Sequence, residues 1–142
     1  MSDGNQLFIE REFNASPEEL FRAWTDPKIL IQWMGPGPVK CKEATVDLKI
    51  GGSYRIHMVS DEGDHIATGE YLEIVTGEKL VFTWGWEGGE VKDTQVTVSL
   101  EKIGKKTKMG ILHEKFATAE AAEKHTMGWN GCVVKLEQYL NN

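Results

Sequence analysis

The stretch "HTMGWNGCVVKLEQYL" (residues 125–140) decides how the chain is read. Trp129, Cys132, Val133, Leu136, Tyr139 and Leu140 recur at intervals of three and four, the stripe of a helix with one buried face. Lys135, Glu137, Gln138 and Asn141 fall mainly on the opposite side. Gly128 and Gly131 flank Trp129, and each costs a helix roughly 1 kcal/mol relative to alanine. Two glycines beside so large a ring imply a neighbour that approaches closely, or a space left deliberately unfilled.

Upstream, hydrophobic periodicity shows what this helix covers. "LFIEREF" (residues 7–13) places Leu7, Ile9 and Phe13 on one face of a strand. "NASPEELFRAWTDP" (residues 14–27) switches to a helix, with Ser16 as N-cap, Pro17 in the first turn and Glu19 completing a capping box. Leu20, Phe21 and Trp24 share its buried side. Asp26 and Pro27 break it, and "PKILIQWM" (residues 27–34) forms a second short helix before a "GPGP" loop.

From Val39 to about Phe116 the chain reads as strands with turn punctuation. "CKEATVDLKI" ends at Gly51 and Gly52, "SYRIHMV" at "SDEGD", "HIATGEYLEIV" at "TGE", "KLVFTWGW" at "EGGE", and "TQVTVSLEKI" at "GKK". "TKMGILHEKF" (residues 107–116) leads into the last helix, which starts near Thr118 with a break expected near His125. Turns this short join antiparallel strands, since parallel ones need crossovers of about a dozen residues or more. The fold class is α+β: a curved antiparallel sheet of about six to seven strands, two short helices after the first strand, and a long C-terminal helix packed across the sheet.

Length and charge narrow the function. A chain of 142 residues suits one domain over residues 1–142 with one sizeable core. Its net charge of −6 argues against nucleic acid, whose phosphates need a basic surface. The lysines at 102, 105, 106 and 108 cluster where a hairpin turn is expected. "MSDGNQ" does not read as a signal peptide, and no apolar run approaches the roughly 18 residues of a membrane span. A cytoplasmic location follows. Cys41 and Cys132 sit among apolar neighbours as buried thiols, too few for a disulfide framework.

Leu80, Phe82, Trp84 and Trp86 occupy alternate positions of one strand and face the same way. Such bulk serves either as core filling or as the aromatic wall of a ligand cavity. His113 shares a face with Met109 and Ile111, as a hydrogen-bonded core residue or a polar contact for a ligand. His57 faces opposite to Ile56 and Met58, while His65 lies in a turn and His125 near a helix start. Asp61, Glu62 and Asp64 read as a solvated turn. No residue set shows metal-ligand spacing, and no nucleophile elbow, phosphate loop or dinucleotide fingerprint is present, so neither a catalytic set nor a metal or cofactor is assigned.

Four blocks then match a known family in order: "FNASPEELFRAWTDPKILIQWMGP", "VDLKIGGSYRIHM", "GEYLEIVTGEKLVFTW" and "HTMGWNGCVVKLEQYL". Together they resemble the activator-of-heat-shock-protein-ATPase-like family of the START-like, or helix-grip, superfamily. The motifs that match are structural: the helix end at Trp24 to Pro27, Gly51 and Gly52 ahead of a strand, and Gly128 with Trp129. The resemblance implies a hydrophobic cavity between sheet and C-terminal helix, with Gly128 and Gly131 at its mouth. Relatives in the superfamily bind lipids, sterols, polyketides or plant hormones, and some are cyclases. The eukaryotic co-chaperones of the family resemble this chain only in their C-terminal domain, and their N-terminal domain is not expected here.

The leading expectation is a binding module for a hydrophobic or aromatic small molecule of lipid-, sterol- or polyketide-like character. Trp33, Trp84, Trp86 and Trp129 form its wall with Met58, Cys132 and Leu136, and His113, Tyr54 or Tyr71 supplies one orienting hydrogen bond. Two alternatives are a cyclase or hydrolase using His113, and an interaction domain whose partner is a chaperone or another protein.

Overall fold

The computed structural model describes residues 5–89 and 94–141. Strand β1 (Leu7–Phe13) is followed by helices α1 (Pro17–Thr25) and α2 (Pro27–Trp33). Six strands come next: β2 (Lys40–Val46), β3 (Ser53–Ser60), β4 (Gly63–Val75), β5 (Lys79–Trp86), β6 (Thr94–Ile103) and β7 (Lys106–Glu114). Helix α3 (Ala119–Leu140) closes the order. The seven strands form one antiparallel sheet, ordered β1-β7-β6-β5-β4-β3-β2.

Local chemistry sets the boundaries. Ser16 Oγ accepts from the Glu19 N–H at 3.1 Å while Glu19 Oε1 accepts from the Ser16 N–H at 3.0 Å, completing the capping box. Asp26 ends α1 and caps α2, its carboxylate accepting from the Lys28 N–H at 2.9 Å. Pairing registers shift between Cys41 and Glu43 and between Tyr71 and Glu73. Such irregularities bend a strand and increase its twist, which helps the sheet curve. In the β6–β7 hairpin Gly104 takes φ +62°, and of the lysines expected there Lys105 lies in the turn while Lys102, Lys106 and Lys108 sit on the strands beside it. The "EGGE" turn extends to Glu90, which lies outside the described residues, as do the first four of "MSDGNQ".

The core lies between the concave face of the sheet, α1, α2 and α3. Leu20, Trp24 and Trp33 enter from the short helices, Leu80, Phe82, Val96, Val98, Met109 and Ile111 from the sheet, and Trp129, Cys132, Val133 and Leu136 from α3. Two of the buried indoles find partners here: Trp33 Nε1–H donates to Ala23 O at 2.9 Å, and Trp24 Nε1–H meets Met109 Sδ at 3.2 Å. Tyr139 and Leu140, expected in the buried stripe, are only half-buried because the helix outruns the sheet's cover near its end.

Helix α3 is continuous, so the expected break near His125 is corrected. His125 Nδ1 donates to Ala121 O at 2.8 Å, and Thr126 Oγ1 donates to Ala122 O at 2.8 Å, bonds that tie this turn to the one before it. Thr118 caps the helix, its Oγ1 accepting from the Ala121 N–H at 3.1 Å. His125 therefore lies in the second turn. Cys41 is also corrected: it is only half-buried, because it sits on the edge strand β2.

The two glycines do different work. A Cβ on Gly131 would stand 2.6 Å from Pro36 Cβ and 3.1 Å from Pro36 Cα, so its bare backbone lets the "GPGP" loop close onto the helix. At Gly128 the nearest atom is Pro36 Cγ at 4.0 Å, which leaves room. Gly131→Ala is expected to lower stability by about 1 kcal/mol net in urea denaturation. Overpacking against a proline ring and backbone costs about 1–3 kcal/mol and outweighs a helix-propensity gain of about 1 kcal/mol.

Candidate functional site

A cavity of about 300 Å³ opens between one end of α3, the loop after α2, and strands β3 to β5. Met34, Pro36 and Val39 contribute from the loop, Met58 from β3, and Trp84 and Trp86 from β5. Helix α3 adds His125, Gly128, Trp129 and Cys132. These positions lie three and four apart, the spacing that puts residues on one helix face. His65 joins the wall, while the exposed Glu62 and Lys124 mark the mouth with opposite charges.

The indoles define its shape. Trp84 packs edge-on against Trp86 at 5.3 Å between ring centroids and lies 5.1 Å from Trp129. Trp86 Nε1–H donates to His125 Nε2 at 2.9 Å. His125 Nδ1 faces the Ala121 carbonyl, which can only accept, so Nδ1 carries the proton and Nε2 is the bare acceptor. Burial lowers the pKa of His125. The neutral ring thereby holds Trp86 in the wall.

Behind the wall His113 is wholly buried and organises a polar chain. Trp129 Nε1–H donates to His113 Nδ1 at 3.0 Å. His113 Nε2–H donates to Thr94 Oγ1 at 2.8 Å, and the Thr94 hydroxyl in turn donates to Trp84 O at 2.7 Å. Indole N–H groups only donate, so Nδ1 is bare and the tautomer is fixed. Burial, with a smaller contribution from the charge of His125, pushes the His113 pKa down to about 3. With both ring nitrogens engaged, His113 fixes the orientation of Trp129 and has no nitrogen free to exchange a proton.

One polar atom is left over. Trp84 Nε1–H is buried and finds no partner among the described residues. An orphaned buried donor costs about 1–3 kcal/mol.

Of the residues singled out in the sequence, Met58, Trp84, Trp86, Trp129 and Cys132 line the cavity. The other five lie elsewhere. Tyr54 and Tyr71 border a separate void of about 10 Å³ with Trp24 and Phe82, and the Tyr54 hydroxyl is committed to Thr83 O at 2.6 Å. Trp33, His113 and Leu136 are fully buried outside the lining. The Cys132 thiol, raised to about 11 by burial, accepts from the Gly35 N–H at 3.3 Å and pins the loop to the helix.

Two placements differ from the sequence reading. His65 lies in β4 and not in the turn, with Nε2 on Ser60 Oγ at 2.8 Å. Asp64 is likewise in β4, paired with His57 Nε2 at 2.9 Å. His125 was legible in principle, four residues before Trp129 on the same face. Met34, Pro36 and Val39 come from an irregular loop that carries no periodic signal. Gly131 is withdrawn from the expected cavity mouth, since Pro36 covers it, whereas Gly128 lines the cavity.

A family model described as "Activator of Hsp90 ATPase homolog 1-like protein" matches residues 14–141. Among solved structures, the chain is similar to a protein from Chromobacterium violaceum, with a TM-score of 0.89 and 26% identity over 97% of this chain and 98% of that one. It is also similar to the AHSA1 protein from Silicibacter pomeroyi, with a TM-score of 0.84 and 27% identity over 96% and 97% of the two chains. A protein from Nitrosomonas europaea at 23% identity shares the fold, with a TM-score of 0.82 over 99% and 97%. Among curated proteins no match is found. No helix among the described residues is long and apolar enough to cross a membrane.

Proposed function

Because the chain belongs to the Activator of Hsp90 ATPase homolog 1-like family, within the START-like superfamily, we propose that its cavity receives a small hydrophobic or aromatic molecule. The observation that carries this reading is the wall of three indoles, Trp84, Trp86 and Trp129, around a space of about 300 Å³ that the protein's own side chains leave unfilled. That volume sits at the low end of small-molecule sites, which favours a compact ring compound over a long acyl chain or a sterol. Burial of apolar surface, worth roughly 25 cal/mol per Å² before the costs of association, supplies the affinity.

Isothermal titration of the wild type against fatty acids, sterols, flavonoids and polyketide-like aromatics tests it. The expected result is saturable binding of compact ring compounds with a negative heat-capacity change, weakened about ten-fold or more by Trp84→Ala. Binding indifferent to Trp84→Ala for every compound removes that wall.

A protein partner is the second reading, and one surface favours it. Met127 and Val134 are seven residues apart on α3 and are 75% and 51% exposed. Retention of the chain on immobilised Hsp90 at micromolar concentration supports this reading, and an empty pulldown counts against it.

A further inference from the structure

The cavity has a smaller neighbour on the same strands, the void of about 10 Å³ beside Tyr54 and Tyr71, which has room for about one water and for no ligand. The two spaces lie in line along the sheet. On β3, Ile56 borders the void and Met58 the cavity; on β5, Phe82 borders the void and Trp86 the cavity. Residues two apart on a strand face the same way and stand about 7 Å apart, so the void continues the cavity inward. Two residues border both spaces, Trp84 and Met34, and together they form the partition.

The two differ in how they are held. Trp84 belongs to β5, inside the sheet between β4 and β6, with Tyr54, Trp86, His113 and Trp129 at ring distances of 6.5 Å or less. Met34 is the C-cap of α2, 3% exposed, ahead of Gly35 at φ +111°. Its side chain is unbranched and springs from irregular backbone, so replacing it leaves strand register and the aromatic wall in place. We propose, resting on the reading that this cavity binds a small molecule, that Met34 is its specificity-determining residue. The side chain closes the inner end of the cavity and holds the ligand to a compact ring; without it the site takes the same ring bearing a short linear apolar tail. Such a tail runs past position 34 toward Phe82 and Tyr71, both buried. Each methylene that finds apolar space tightens binding about four-fold. A tail denied that space stays in water at the mouth and gains little.

The test titrates 4-ethylphenol, 4-butylphenol and 4-hexylphenol into the full chain, wild type and Met34→Ala, following the methyl resonances of the five methionines and the tyrosine ring signals by NMR. In the wild type the hexyl compound is expected to bind less than about ten-fold more tightly than the ethyl one. Bound 4-ethylphenol moves the Met34 methyl and leaves the Tyr71 ring unmoved. In Met34→Ala the hexyl-to-ethyl ratio rises to about 100-fold or more, and 4-hexylphenol moves the Tyr71 ring. Met34→Leu, which conserves volume, keeps the wild-type ratio. If Met34→Ala does not fold, Met34→Val makes a smaller opening and is expected to give an intermediate ratio.

The same hexyl-to-ethyl ratio in the wild type and in the smaller variants overturns the role of Met34 and leaves the cavity reading standing. So does a Met34 methyl that stays unmoved while 4-ethylphenol shifts Trp84, Trp86 and Trp129. If no alkylphenol binds the wild type at millimolar concentration, the cavity reading fails and the assignment of Met34 goes with it.

Discussion

Gly128→Leu is expected to weaken ligand uptake at least about 100-fold while raising stability by about 1 kcal/mol. Gly128 lines the cavity from α3, and its nearest non-local atom to an added Cβ is Pro36 Cγ at 4.0 Å. A leucine side chain there has a space of about 300 Å³ to enter, so it displaces ligand and not protein. Leucine is also a far better helix former than glycine, by roughly 0.8 kcal/mol, and it buries apolar surface that the unfilled cavity leaves wet. The two readouts thus move in opposite directions, which simple misfolding does not do. Urea denaturation and titration with the tightest compound of the panel measure them. A variant that is more stable and still binds as the wild type places the ligand elsewhere.

The second large effect is on stability as the pH falls. In the folded chain His113 takes up a proton only near pH 3, whereas in the unfolded chain it does so near its ordinary value of 6.5. Between these values the unfolded state binds the extra proton, so stability rises with pH and is lost on acidification. From pH 6.5 to pH 5 this one residue is expected to cost about 2 kcal/mol, at about 1.4 kcal/mol per unit. His125, whose pKa burial also lowers, adds in the same direction.

The geometry gives the same sign. A proton on His113 Nδ1 would face the Trp129 N–H, donor against donor, inside a buried chain. His113→Gln keeps a side chain that can both accept and donate, at a cost of about 2 kcal/mol at pH 7 from imperfect packing. It is expected to flatten most of the slope between pH 5 and 6.5, where most carboxylates stay ionised. Urea midpoints at a series of pH values check both; a slope indifferent to His113→Gln contradicts the assignment.

The architecture was legible because each element carries its own signal. Ser16, Pro17 and Glu19 announce α1, Asp26 with Pro27 separates it from α2, and paired turn residues divide the strands. The alternation of Leu80, Phe82, Trp84 and Trp86 marked a strand facing the core, while Gly128 and Gly131 pointed to close approach or open space without saying which glycine met which. The site was only half legible. Trp84, Trp86 and Trp129 stand out by bulk, but sequence cannot separate an indole that borders empty space from one that fills it. Trp33 and Trp129 look alike in composition; the former is fully buried with its N–H on Ala23 O, and the latter faces the cavity.

The loop residues Met34, Pro36 and Val39 were invisible because irregular backbone has no period. The break expected near His125 does not occur, and the helix runs on through Gly128 and Gly131. Tertiary contact with the Pro36 loop outweighs the propensity cost of Gly131. Sequence leaves His113 between a hydrogen-bonded core residue and a polar contact for ligand, because it does not show that Trp129 and Thr94 already occupy both nitrogens.

The most direct test of a ligand-binding cavity is a two-dimensional amide NMR titration of the isotopically labelled chain with the mixed panel of ring compounds. The account predicts saturable shifts concentrated on Trp84, Trp86, His125, Gly128, Trp129 and Cys132. Absence of any saturable shift, or shifts confined to the outer face of α3 around Met127 and Val134, would contradict it.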